Sequence, residues 1–142
     1  QKLPGTEDSD HILAGITILA AEDNELNAEI LLELLNMSNV VCDLVSNGQE
    51  LVEAFEKSEP GQYDLILTDI QMPVMNGYDA ARAIRAGSHT RGKVIPIVAM
   101  TANAFAEDVK EAMDAGMDAH VAKPIDMKNL EAVITELVKK KY

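Results

Sequence analysis

Short unbroken apolar runs alternate along this chain with longer stretches whose apolar residues recur at helical spacing. Apolar runs at 16–21, 40–45, 65–69, 94–100 and 119–122 predict five strands. The run at 65–67 contains no polar residue, as expected of a strand buried on both faces of a parallel sheet. It leads into Thr68 and Asp69, so a carboxylate stands where that strand leaves the core. Helices are predicted between the strands. The first starts at an Asn24 cap, has Glu25 in its first turn, and carries a stripe of Leu26, Ile30 and Leu34 with Leu31 and Leu35 beside it. The second follows the Asn47-Gly48 turn and contains Leu51, Val52 and Phe55. The third covers 78–86 and closes near Gly87, and the fourth covers 105–115 with Gly116 as its stop. Asp126 caps the last, which puts Leu130, Val133, Ile134, Leu137 and Val138 on one face and ends in three lysines.

Five strands alternating with five helices imply an α/β fold. The expected form is a doubly wound parallel sheet with helices on both faces and right-handed crossovers. Pro96 inside the fourth run implies that its neighbour does not need that N–H. Residues 1–15 lack apolar periodicity and read as a linker or disordered lead, so the domain is assigned to 16–142. Pro73, then Asn76-Gly77, make the segment after Asp69 a stiff loop.

Composition narrows the function. The 142 residues suffice for one domain with a proper core, and 47% hydrophobic with 25% charged residues is ordinary for a globular protein. A net charge of −12 argues against a nucleic-acid partner. The single cysteine, Cys42, lies in an apolar run and reads as packing; it permits no internal disulfide and points to a reducing, cytoplasmic setting. No apolar run has transmembrane length, so no direct membrane contact is expected of this segment. The seven methionines read as core fillers.

The candidate chemistry lies at strand ends. Glu22-Asp23 follow the first strand, Asp69 the third, Thr101 the fourth and Lys123 the fifth. In a parallel sheet these ends share the carboxyl edge, where ligands bind in open α/β folds. Taken singly, Asp69 reads as a loop cap, Thr101 as a helix cap and Lys123 as a solvated lysine. Together they suit a hard divalent cation such as Mg²⁺, with Lys123 as a second positive charge and Thr101 as a hydroxyl donor. That set fits phosphoryl transfer to a carboxylate.

Four motifs occur in order, ILAAEDN, LILTDIQMPVMNG, IVAMTANA and HVAKP. With them the chain resembles a response-regulator receiver domain of two-component signalling, most like the receiver of a hybrid sensor histidine kinase. The resemblance covers roughly residues 16–141. It implies a flavodoxin-like sheet of order 2-1-3-4-5. It implies that Asp69 takes a phosphoryl group from a phosphohistidine, with Mg²⁺ bound by Asp23, Asp69 and the backbone carbonyl of Gln71, and through a water by Glu22. Thr101 and Lys123 then contact the phosphoryl oxygens, and the domain takes part in its own phosphorylation and dephosphorylation. Thr101 and the residue at position 120 form the expected switch, coupled to a surface over 105–141. His120 stands where receivers often carry Tyr or Phe. A cis bond before Pro124 is expected, and Asn103 and Gln71 are expected to line the access to the phosphoryl group. The implied partner is a histidine kinase or a histidine phosphotransfer protein, and the implied state is a monomer or weak dimer.

Three other readings compete. A flavin-binding flavodoxin needs a Ser/Thr-rich phosphate loop where this chain has Glu22-Asp23-Asn24-Glu25. A haloacid-dehalogenase-type phosphohydrolase wants a second Asp where Gln71 stands. A degenerate receiver that is not phosphorylated is opposed by the intact acids, Thr101 and Lys123.

Overall fold

The strand that ends in Asp69 is the middle of the sheet. The computed structural model describes residues 15–102, 106–123 and 125–141. Within them the chain runs β1 (Thr17–Ala21), α1 (Glu25–Met37), β2 (Val41–Val45), α2 (Gly48–Lys57), β3 (Leu65–Asp69), α3 (Gly77–Ala86), β4 (Ile97–Thr101), α4 (Ala106–Asp114), β5 (Ala119–Ala122) and α5 (Met127–Lys141). The strands form one parallel sheet in the order β2-β1-β3-β4-β5. This is the doubly wound order expected above. Residues 1–14, Asn103 and Pro124 lie outside the described residues, so the linker, the access role of Asn103 and the bond before Pro124 do too.

Strand periodicity divides the core between the two faces. Leu19, Ala21, Ile66, Ile97 and Ala99 face one way and pack with Leu51 and Phe55 of α2 and Ile84 of α3. Ile18, Ala20, Leu65, Leu67, Val98 and Met100 face the other way, against Leu31 and Leu35 of α1 and Leu130 and Ile134 of α5. Every residue of β3 and β4 is buried, which explains their unbroken apolar runs. Burying each Leu or Ile there stabilises the fold by about 1.5–3 kcal/mol.

Two expectations need correction. The stripe assigned to α1 is not its buried face: Ala28, Leu31 and Leu35 are buried, whereas Leu26 is 64% and Ile30 46% exposed. Leu34 is only half-buried. In addition, β4 begins at Ile97, not at residue 94, because the amides of Val94 and Ile95 both donate to the Arg91 carbonyl and close a turn. Pro96, just ahead of the strand, offers its carbonyl to Ile66 N.

Helix starts were partly legible. Asn24, Asn47 and Asn76 each cap a helix, their Oδ1 atoms accepting from Asn27 N, Glu50 N and Asp79 N respectively. Asp126 does the same for Lys128 N. Gly116 has φ +100, so the left-handed stop after α4 requires glycine. At the amino edge of the sheet, far from Asp69 along β3, Arg85 donates to the carbonyls of Gly116, Ile95 and Gly92 and pairs with Asp118 at 3.0 Å.

Candidate functional site

Strand register brings the carboxyl ends of β1, β3, β4 and β5 to one edge. Ala21 pairs with Thr68, Asp69 with Met100, and Thr101 with Ala122. Glu22 and Asp23 therefore emerge beside Asp69, and Lys123 reaches in from one residue beyond β5. Each chain segment must leave the sheet there, so side chains distant in sequence meet.

The carboxylate oxygens of Glu22, Asp23 and Asp69 offer ligand atoms all within 4.8 Å of one another. Glu22 and Asp69 are buried, while Asp23 is exposed. Asp69 Oδ1 accepts the Ile70 amide at 2.8 Å, and its backbone carbonyl accepts Thr68 Oγ1 at 2.9 Å. Lys123 Nζ lies 3.0 Å from Asp69 Oδ2 and 2.9 Å from Glu22 Oε1. Glu22 Oε2 accepts the Asn24 amide, so both Glu22 oxygens are engaged.

The electrostatics follow from burial. Desolvation pushes the Asp69 carboxyl up to about 6, the Lys123 hydrogen bond opposes the rise, and the Glu22 charge adds to it. Burial alone would lower the Lys123 pKa. Its hydrogen bonds to Glu22 and Asp69 outweigh that, and the ammonium is held above the ordinary lysine range. Three carboxyl groups against one ammonium leave the cluster short of positive charge. An all-oxygen donor set of this kind fits a hard cation such as Mg²⁺, which keeps waters and takes one or two carboxylates.

Asp69 and Lys123 also line a cleft of about 520 Å³ with Gln71, Thr101, Asn76, Tyr78 and Glu111. Thr101 is buried at the end of β4. The structure thus brings Glu22, Asp23, Asp69, Gln71, Thr101 and Lys123 to one place. His120, on β5 opposite Ala99, is half-buried and lies outside the residues lining the cleft. Tyr78 and Glu111 were missed as cleft residues: both lie in helices, and helical spacing alone does not tell which of their side chains line the cleft at the sheet edge. A second hollow of about 310 Å³ adjoins the first, lined by Asn27, Ile30, Leu31, Ile125 and Lys123. Cys42 is half-buried and burial pushes its thiol up to about 12, in keeping with a packing role.

A doubly wound sheet with an acidic triad and a lysine at its carboxyl edge defines a phosphoacceptor-type α/β domain. Residues 18–135 match the family described as the response regulator receiver domain. The chain belongs to that family, whose members are receiver domains of two-component systems. It is 41% identical over 121 residues to hybrid signal transduction histidine kinase G of Dictyostelium discoideum, a match covering 84% of this chain and 3% of that protein. This chain therefore corresponds to a small part of that relative. Among solved structures, the receiver domain of a sensor histidine kinase from Pseudomonas aeruginosa, which has a magnesium ion coordinated in its active-site cleft, matches at 35% identity. The TM-score is 0.79, and 89% of this chain and 99% of that one are covered. The receiver domain of the Saccharomyces cerevisiae response regulator Ssk1, crystallised with the phosphotransfer protein Ypd1, matches at 29% identity with a TM-score of 0.77, covering 91% of this chain and 92% of that one. Among the described residues no helix is long and apolar enough to cross a membrane.

Proposed function

We propose that this domain accepts a phosphoryl group from a phosphohistidine onto Asp69 and passes on the signal or the phosphoryl group in a phosphorelay. A carboxylate oxygen of Asp69 attacks phosphorus and the phosphorus–nitrogen bond to the donor imidazole breaks. The electron pair returns to the imidazole, which takes up a proton, and an aspartyl phosphate remains. Asp23, Asp69 and the Gln71 carbonyl hold Mg²⁺, with Glu22 contributing through a water. The bound ion supplies neutralisation of the phosphoryl oxygens. Lys123, already 3.0 Å from Asp69, pairs with one of those oxygens, and the Thr101 hydroxyl donates to another. The observation that carries this reading is the bridging Lys123, which meets both Asp69 and Glu22 beside the three-carboxylate cluster.

The partner in this reading is a histidine kinase or a histidine phosphotransfer protein, acting in the cytoplasm. It docks over the exposed apolar side of α1, where Leu26 is exposed and Ile30 borders the hollow that shares Lys123 with the cleft. The His120 ring completes the switch with Thr101. The test is ³¹P NMR of the protein treated with a small phosphoryl donor and Mg²⁺. One acyl phosphate resonance, discharged by hydroxylamine, is expected. A signal stable to hydroxylamine, or none, would overturn the assignment.

A further inference from the structure

The loop that follows Asp69 is tied down by a residue from another helix. Its chain-end anchors are close by: Gly77 N donates to Ile70 O at 2.8 Å and Gly77 packs on the Asp69 carbonyl. Between them the backbone folds sharply. Met75 N donates to Pro73 O at 2.7 Å, closing a three-residue turn around Val74, which has φ +70. That conformation is rare and strained, and for a β-branched side chain more so. Val74 is 76% exposed, so its own side chain contributes little packing to hold the turn. Met72 and Met75 on either side of it pack on the core, and the backbone of the turn takes one further contact.

Gly48 makes that contact. It is the first residue of α2, and its amide is one of the helix-start donors that find no partner within the helix. It donates instead to the Met75 carbonyl at 2.9 Å. Gly48 is buried, and a Cβ there would stand 2.9 Å from the Asn76 carbonyl oxygen and overlap the Met75 carbonyl. Its φ is not in the left-handed region, so backbone conformation does not demand glycine. Inside a helix alanine would be the more favourable residue. The close approach to the loop is what requires glycine.

We propose that Gly48 is a positioning residue for the Asp69 loop: it clamps Met75, holds the strained turn at Val74, and thereby fixes Gln71 and Asp69 for the metal and the phosphoryl group. This rests on the reading of Asp69 and Gln71 as metal ligands. A supporting residue behind a metal site typically changes affinity by about 10–100-fold when altered.

The experiment compares Mg²⁺ titrations, followed by NMR, of wild type, Gly48→Ala and Leu51→Ala. Leu51 is fully buried in the same helix, in the core on which Met75 packs, but its amide donates to the Asn47 carbonyl of its own helix start and not to the loop. Gly48→Ala is expected to weaken Mg²⁺ binding by about tenfold, whereas the folded fraction of Leu51→Ala binds as wild type does. Equal affinity in Gly48→Ala and wild type, or an equal loss in Leu51→Ala, overturns the clamp. A second measurement needs no variant. Coupling between two sites is reciprocal, so saturating Mg²⁺ should slow hydrogen exchange of the wild-type Gly48 amide selectively relative to Leu51. An unchanged Gly48 rate overturns the proposal even if Gly48→Ala does not fold. A wild type that binds no Mg²⁺ would instead remove the metal site on which the proposal rests.

Discussion

Lys123 Nζ lies 3.0 Å from Asp69 Oδ2 although the two residues stand at the ends of β5 and β3, with β4 between them. The lysine reaches across because it stands one residue past β5, where its amide donates to the Thr101 carbonyl at 2.8 Å and continues the ladder beyond the strand. The ammonium is thereby aimed at the middle of the sheet edge. Lys123→Met should remove the main influence that holds the Asp69 carboxyl down. Carboxyl ¹³C NMR is expected to find the Asp69 titration at higher pH in the variant than in the wild type, where burial already pushes the carboxyl up to about 6. A midpoint unchanged by the substitution would mean that the pair contributes nothing.

The raised Asp69 pKa carries a stability sign. Its folded value, about 6, exceeds the unfolded value of roughly 3.9. Its contribution is therefore fully present below about pH 4 and is lost as pH rises through about 6. Metal-free Asp69→Asn, which cannot ionise, should be more stable than wild type at pH 7 by about 1–3 kcal/mol. The difference should shrink toward pH 4. Urea unfolding of both proteins across this range reads it directly. A wild type that gains on the variant as pH rises would reverse the account.

Metal binding separates the acids by role. Asp23→Asn should weaken Mg²⁺ binding at least about tenfold, since few other charged ligands are available. Glu53→Gln, on the exposed face of α2, should leave it unchanged. Isothermal titration at neutral pH distinguishes the two, and equal affinity in all three proteins would remove the site. Because the ion favours ionised Asp69, added Mg²⁺ should also extend phosphorylation to lower pH.

How far the site was legible in the sequence depends on which residues are considered. Asp69 stood out because an all-apolar strand ending in an acid is a strong pattern, and alternating elements required the other strand ends to share its edge. The α1 face was misread for a physical reason. Leu26, Ile30, Leu31, Leu32, Leu34 and Leu35 cover more than one side of a helix, so periodicity alone cannot choose the side that packs. The structure buries Leu31 and Leu35 and leaves Leu26 and Ile30 exposed. Residues 94–95 look like strand but are held in a turn by the Arg91 carbonyl. The Gly48 contact with Met75 joins the start of α2 to a loop far away in sequence, and nothing local announces it.

The exposed side of α1 gives a partner-specific prediction. Ile30→Asp should slow phosphoryl transfer from a phosphohistidine protein by about tenfold, the loss expected of a central apolar contact. It should leave phosphorylation by acetyl phosphate unchanged, because Ile30 does not line the Asp69 cleft. Equal slowing with both donors would assign Ile30 to the chemistry and not to docking.

If His120 is the switch residue proposed above, its ring limits the amplitude of the switch. Its ring is smaller and more polar than the Tyr or Phe common at this position of the family, and it is half-buried. A phosphoryl group shifts the equilibrium only through its preference for one conformation. Beryllofluoride should therefore produce modest chemical-shift changes on α4, β5 and α5 in the wild type and larger ones in His120→Tyr. A complete shift in the wild type that His120→Tyr leaves unaltered would contradict this role.

The central claim is that Asp69 is the phosphoacceptor and that metal is needed for it to act. Intact mass measurement after incubation with acetyl phosphate and Mg²⁺ tests this most directly. Wild type should gain the mass of one phosphoryl group, lose it on standing, and gain nothing when EDTA is present. Asp69→Asn should gain nothing under any condition. Full phosphorylation of Asp69→Asn, or of wild type in EDTA, would contradict the account.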